Sequence, residues 1–201
     1  MQGAYGAIVL AAGLSTRFAR GDKLLSPWRG RALLSWTIEV LRAVPLTHRI
    51  AVIGPHDDAK RQLLEAASFT CVVNPQPADG MGSSLAVGAL ALPDDLAGVF
   101  VVLGDMPALS GEVFCLLREA LEIDPLLTIV APSYQGQRGH PVLFSALHLP
   151  RLRVLSGDHG ARAVLQAAVA TTRLIAVRQD GVLRDFDTEE AFDDAPRKDA
   201  T

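Results

Sequence analysis

The sequence predicts an α/β fold in which a mostly parallel central sheet is covered by helices on both faces. Three observations carry this. Short apolar runs recur along the chain, helical stretches separate them, and the 201 residues are 49% apolar and 20% charged, which suits one well-buried core. A single domain is expected over 1–192, followed by a loose polar tail over 193–201.

The first run, AIVLAA, starts at Ala7 and is rich in small residues, as the core of a secretory signal would be. No Lys or Arg precedes it, and no run approaches the roughly 20 apolar residues of a membrane span, so it reads as a buried strand. A helix with an apolar face follows over 33–44, then the strand RIAVIG and a second helix over 58–67. FTCVVN, a helix over 83–92, VFVVLG and a helix over 111–122 continue the alternation. LTIVAP, HPVLFS, a helix over 158–168 and RLIAV complete it, with no internal repeat.

Charge and composition exclude several classes of function. The net charge of −3 arises from 19 basic and 22 acidic residues scattered along the chain, so no basic stripe marks a nucleic-acid track. Cys71 and Cys115 lie in apolar surroundings without CxxC spacing, which points to buried, reduced thiols and a cytoplasmic protein. His48, His56, His148 and His159 share no metal-ligand spacing.

In open α/β sheets ligands bind beyond the carboxyl ends of the strands, which directs attention to the loops 13–23, 74–84, 104–107, 135–140 and 185–188. The first reads LAAGLSTRFARGDKLL: Gly13 permits a tight turn, Ser15 and Thr16 add hydroxyls, and Arg17 and Lys23 bring two positive charges, as a triphosphate requires. A strand-to-helix turn with two solvated cations would read the same way. GxxxxGK[ST] is absent, and GMGSSL has Leu85 where a dinucleotide fingerprint needs its third glycine.

LGDMP places Asp105 at the tip of a central strand, where a carboxylate holds a divalent cation over phosphates or serves as a turn residue. GMGSSL offers an anion or ribose cradle at a helix start, or simply an N-cap. RGHPVLF sets Arg138 and His140 before a strand, and LRDFDTEE supplies Asp185 and Asp187, one suited to capping and the other to metal binding.

Taken in order, LAAGLSTRFARGDKLL, GMGSSL, LGDMP, RGHPVLF, GDHGAR and DFDTEE resemble the nucleotidyltransferases of molybdenum cofactor maturation, specifically their cytidylyltransferase branch. The resemblance implies a Rossmann-like three-layer nucleotidyltransferase fold that transfers CMP from CTP to the terminal phosphate of molybdopterin and releases pyrophosphate. It implies nucleotide contacts from Leu10, Ala11, Ala12, Gly13, Ser15, Gly82, Ser83 and Ser84, and phosphate neutralisation by Arg17 and Lys23. Mg²⁺ would be held by Asp105 with Asp187 beside it, and the acceptor would meet Arg138, Gly139, His140, Pro141 and Asp158. Ala12, in LAAG where the guanylyl branch has LAGG, favours CTP, a methyl group being able to discriminate by ~1–3 kcal/mol.

The implied client is a molybdoenzyme such as a xanthine-dehydrogenase-like oxidoreductase; neither nucleic acid nor membrane is an expected partner. Two departures from the family pattern stand out: Ala19 and Arg20 replace a glycine pair, and Glu189 replaces the proline of DTPED. The rival readings are a guanylyltransferase or a transferase with another phosphorylated acceptor, and a non-catalytic cofactor carrier.

Overall fold

A computed structural model describes residues 3–13, 18 and 21–186. The chain runs β1 (Tyr5–Leu10), β2 (Pro27–Trp28), β3 (Arg31–Ala32), α1 (Leu33–Ala43), β4 (His48–Ile53), α2 (Asp58–Ala66), β5 (Thr70–Val73) and α3 (Met81–Leu90). It continues through β6 (Gly98–Leu103), α4 (Gly111–Ile123), β7 (Ile129–Tyr134), β8 (Gln137–Arg138), β9 (Val142–Ser145), α5 (Leu149–Leu152), α6 (Arg162–Ala167) and β10 (Thr172–Ala176).

Each of the seven expected strands is present, and together they form one sheet in the order β10-β7-β9-β6-β1-β4-β5, with β8 paired to β7. The pairings β1–β4, β1–β6, β4–β5 and β7–β10 are parallel, whereas β9 runs antiparallel to both β6 and β7. The reversal follows from chain length. A parallel return requires a crossover of a dozen or more residues, and the link from β7 to β9 holds only the β8 hairpin, turned at Gln135 (φ 50°) and Gly136 (φ 82°).

Alternate residues of the central strands enter two separate cores. Ala7, Val9, Phe100 and Val102 join Leu34, Ile38 and Leu41 of α1, Leu64 of α2 and Phe114 and Leu117 of α4. Ile8, Val99 and Val101 join Leu85 and Ala89 of α3, Leu149 and Leu152 of α5 and Val164 of α6. The result is the expected three layers.

Helix ends are fixed locally. Ser110 caps α4 by accepting from the Glu112 amide at 3.3 Å, and the Arg49 guanidinium donates to the carbonyls of Leu41, Val44 and Leu46 where α1 ends. α3 rides unusually close to the sheet, because a Cβ on Gly88 would come within 2.5 Å of Ile8 and 2.9 Å of Val52.

Several expectations shift. The last expected helix begins at Arg162 instead of 158, since Gly157 (φ 73°) and Gly160 (φ 53°) turn the chain first. Both cysteines are free thiols but half-buried, and burial, ahead of the charge of Glu65, raises the Cys71 pKa. The hairpin of β2 and β3 and the short α5 were not foreseen. The expected tail over 193–201 lies outside the described residues.

Candidate functional site

Two loops leave the sheet side by side because the strands that launch them are in register. Leu10 of β1 pairs with Leu103 of β6, and the Gly104 amide donates to the Leu10 carbonyl at 3.0 Å. Thr37 of α1 donates to the Gly104 carbonyl at 3.1 Å, so both backbone groups before Asp105 are fixed. A Cβ at Gly104 would lie 3.1 Å from the Leu10 carbonyl oxygen, leaving little space for a side chain at this close approach. Ala11 is tied in turn to β4, its amide donating to Val52 at 2.9 Å. Ala11 and Ala12 are buried and Gly13 is exposed.

Across this junction the Lys23 Nζ donates to Asp105 Oδ2 at 2.6 Å, with side chains only 12% and 14% exposed. The second carboxylate oxygen, Oδ1, is buried and has no hydrogen-bond partner among the described residues. A buried carboxylate oxygen without a donor is costly and is the arrangement that a cation completes. Ser15, Arg17 and Asp187, three of the expected site residues, lie outside the described residues.

Lys60 was not foreseen. It lies on α2 in a stretch that reads as a solvated face, yet it is 1% exposed. Its ammonium donates to the Ala11 carbonyl at 2.9 Å and meets Asp57 Oδ2 at 2.8 Å and Asp22 Oδ2 at 3.0 Å. Asp57 also accepts from the Gly54 amide at 2.6 Å, and Asp22 from the Leu24 amide at 2.9 Å. A cavity of about 260 Å³ opens above this cluster, walled by Ala12, Gly13, Asp22, Gly54, His56 and Pro77.

The GMGSSL segment starts α3, but its polar groups are largely engaged by protein. Buried Asn74 donates to the hydroxyls of Ser83 and Ser84, both at 2.9 Å, and Ser83 donates to the Gly80 carbonyl at 2.8 Å. The Gly82 amide donates to Gly157 at 2.8 Å and is therefore not a free anion donor. Gly80 (φ 95°) and Gly82 press against the 156–158 turn so closely that a Cβ on either would approach its backbone to 2.5 or 2.6 Å. Exposed Asp158 belongs to that turn.

Arg138, on β8, is exposed; partial desolvation and then the positive charge of Arg162 lower its pKa. Gly139 donates to the Pro132 carbonyl and His140 to the Val182 carbonyl, both at 2.8 Å, which leads the chain through buried Pro141 into β9. Burial, followed by the charge of Arg138, pushes the His140 pKa down to about 4 against the opposing pull of the Val101 backbone and Asp105. The imidazole is therefore neutral near pH 7. Its Nδ1 is inaccessible and unpartnered among the described residues.

These groups place a carboxylate, an ammonium and a neutral imidazole at the end of the sheet where the central strands β1 and β6 finish. Among the described residues no cluster of three or more His, Cys, Asp or Glu side chains could hold a metal, and no helix is long and apolar enough to cross a membrane. The chain matches the MobA-like NTP transferase domain over residues 7–173. It belongs to that family.

Relatives agree over nearly the whole length. Nicotine blue oxidoreductase of Paenarthrobacter nicotinovorans is 29% identical over 188 residues, covering 91% of this chain and 92% of its own. The purine catabolism protein PucB of Bacillus subtilis is 26% identical, covering 92% and 93%. Among solved structures, Rv0371c from Mycobacterium tuberculosis superposes with a TM-score of 0.78 at 26% identity over 96% of this chain and 97% of that one, and it has also been solved as a complex with manganese. The MobA-like transferase domain of this chain thus carries a nucleotidyltransferase fold with Asp105 and Lys23 paired at its strand ends.

Proposed function

We propose that this protein transfers CMP from CTP to the terminal phosphate of molybdopterin and releases pyrophosphate. The Lys23–Asp105 pair carries the reading: a cation and a half-satisfied carboxylate, both largely buried, stand where the β1 and β6 loops meet. In such a transfer an acceptor phosphate oxygen attacks the α-phosphorus of the nucleotide in line with the departing pyrophosphate, so positioning and charge neutralisation are the main tasks.

Lys23 and Arg17 neutralise the polyphosphate, and Ala12 and Gly13 meet the nucleotide from the end of β1, the methyl group of Ala12 favouring a pyrimidine. Asp105, with Asp187, would hold Mg²⁺, which supplies charge neutralisation at the reacting phosphate. Leu10, Ala11, Gly82, Ser83 and Ser84 shape the nucleotide side through their backbone and the Asn74 network. Arg138, Gly139, His140, Pro141 and Asp158 line the acceptor side. An ionised acceptor phosphate needs no general base, so the neutral His140 is assigned no proton transfer and serves to orient the acceptor.

A relative named as an oxidoreductase keeps a redox reading in view. The glycine fingerprint of a dinucleotide site is missing here, and the Lys23–Asp105 pair suits phosphate chemistry. The test is pyrophosphate release with Mg²⁺ and CTP, GTP or ATP, using molybdenum-loaded molybdopterin as acceptor and a control without it. Acceptor-dependent release with CTP alone supports the proposal. Release with GTP overturns the choice of base, and no release with any nucleotide overturns molybdopterin as the acceptor and favours either a different phosphorylated acceptor or a carrier of the mature cofactor that serves a molybdoenzyme.

A further inference from the structure

We infer that Lys60 is a positioning residue that holds both ends of the nucleotide loop, an inference that rests on the nucleotidyltransferase reading of that loop. Its ammonium donates a hydrogen bond to the Ala11 carbonyl at 2.9 Å and forms ion pairs with Asp57 at 2.8 Å and Asp22 at 3.0 Å. Ala11 is where the chain leaves β1, and Asp22 is where it returns, immediately before Lys23. One nitrogen on α2 therefore joins the beginning and the end of the segment that carries Gly13, Ser15 and Arg17. Asp57 anchors that nitrogen to the β4–α2 loop through the Gly54 amide.

The electrostatic setting explains why a buried charge is kept at this position. Asp22 would otherwise present an uncompensated carboxylate beside the binding site for a polyanion, and Lys60 offsets part of that charge, which it shares with Asp57. Burying an ammonium to 1% exposure is costly unless it is paired, and here one hydrogen bond and two ion pairs offset that cost. The position of Lys23 depends on the same tie, since the Asp22 carboxylate holds the turn of the next residues through the Leu24 amide at 2.9 Å. Lys60 acts through the loop and contacts neither of the paired groups, Lys23 and Asp105.

The experiment compares the full chain with K60M, which keeps the apolar stem and nearly the length of the side chain, and with D22N, which retains the Leu24 contact through Oδ1 but replaces the oxygen facing Lys60 by an amide nitrogen that cannot accept. Hydrogen exchange of amides 13–22 is followed against those of β6, and CTP binding with Mg²⁺ is measured by calorimetry alongside kcat and KM. K60M should speed exchange in the loop by at least about tenfold with β6 unchanged, and raise the CTP Kd and KM by about tenfold while kcat stays within about threefold. D22N should act in the same direction more weakly, and it supplies the readout if K60M does not fold.

A uniform rise in exchange across the sheet would make Lys60 merely a structural core residue and overturn the inference, as would unchanged loop exchange or an unchanged Kd. The exchange arm requires no substrate. If the unaltered protein bound no nucleotide, the functional proposal would fail on that result alone, whereas loop exchange would still decide whether Lys60 holds the segment.

Discussion

Replacing Gly82 by alanine tests the seam between α3 and the 156–158 turn, and here two physical effects compete. Alanine favours a helix over glycine by ~1 kcal/mol, so a position with free space should gain stability. At Gly82 the new methyl would lie 2.6 Å from the Ser156 carbonyl oxygen and 2.8 Å from that of Gly157, both rigid backbone atoms. Relief requires a displacement of roughly 0.8 Å, with an overpacking cost of ~1–3 kcal/mol. The same shift stretches the 2.8 Å bond from the Gly82 amide to Gly157, worth a further ~1 kcal/mol.

The net expectation for Gly82→Ala is a loss of about 1–3 kcal/mol, or a fall in Tm of roughly 3–10 °C for a chain of this size. Gly111→Ala is the control, since at the first residue of α4 nothing lies within 4 Å of the added Cβ, and its stability should be unchanged or slightly raised. Urea denaturation of both variants, with m-values checked for equality, reads the difference directly. If Gly82→Ala proved as stable as Gly111→Ala, the seam would not be close-packed and the argument from contact distances would be wrong.

Other expectations concern the chemistry. Asp105→Asn should lower pyrophosphate release by at least about a hundredfold with the fold retained by circular dichroism; turnover near that of the unaltered protein would remove Asp105 from the mechanism. Ala12→Gly should shift the CTP-to-GTP ratio of kcat/KM toward GTP by about tenfold, and an unchanged ratio would mean that base choice lies elsewhere. His140 is held neutral in the folded protein down to about pH 4 but protonates near 6.5 when unfolded. Its contribution to stability is therefore present above about pH 6.5 and is lost as pH falls toward 4, at most ~3 kcal/mol and less because the ring is only partly buried. His140→Gln should flatten that part of the stability–pH curve, and an unaltered slope would show that another group is responsible.

The sheet was legible in the sequence because its strands are continuous apolar runs, the inner ones buried on both faces, and the helices between them carry one-sided patterns. A mostly parallel sheet was expected, but which strand would reverse was not assigned, although the short β7–β9 link contained the information needed. The PWRGRA hairpin was missed even though Arg29 and Gly30, both at positive φ, form a two-residue turn; two-residue strands leave no periodicity to detect. The contact between Lys23 and Asp105 spans 82 positions: each residue was legible from its place in a loop after a strand, with the resemblance adding its role, but nothing local showed that the two pair. Lys60 escaped notice because a lysine within DAKRQLLEA has the local pattern of an exposed helix face. Its burial is decided by Asp22 and Ala11, which no local window contains. The GMGSSL loop was legible as a helix start, but not the engagement of its Gly82 amide by a turn far along the chain.

The reversed β9 has a consequence for the side of the site proposed to meet the acceptor. Because the chain doubles back through a hairpin with its tip at exposed Gln135 and Gly136, the wall that carries Arg138 hangs from a solvent-facing turn and not from a crossover helix packed into either core. Residues inserted at that tip would lengthen the wall without altering strand register or core volume, since exposed turns tolerate insertion and each doubling of loop length costs only ~0.6 kcal/mol. The hairpin is thus a natural grafting point at which one sheet could be refitted for acceptors of different size.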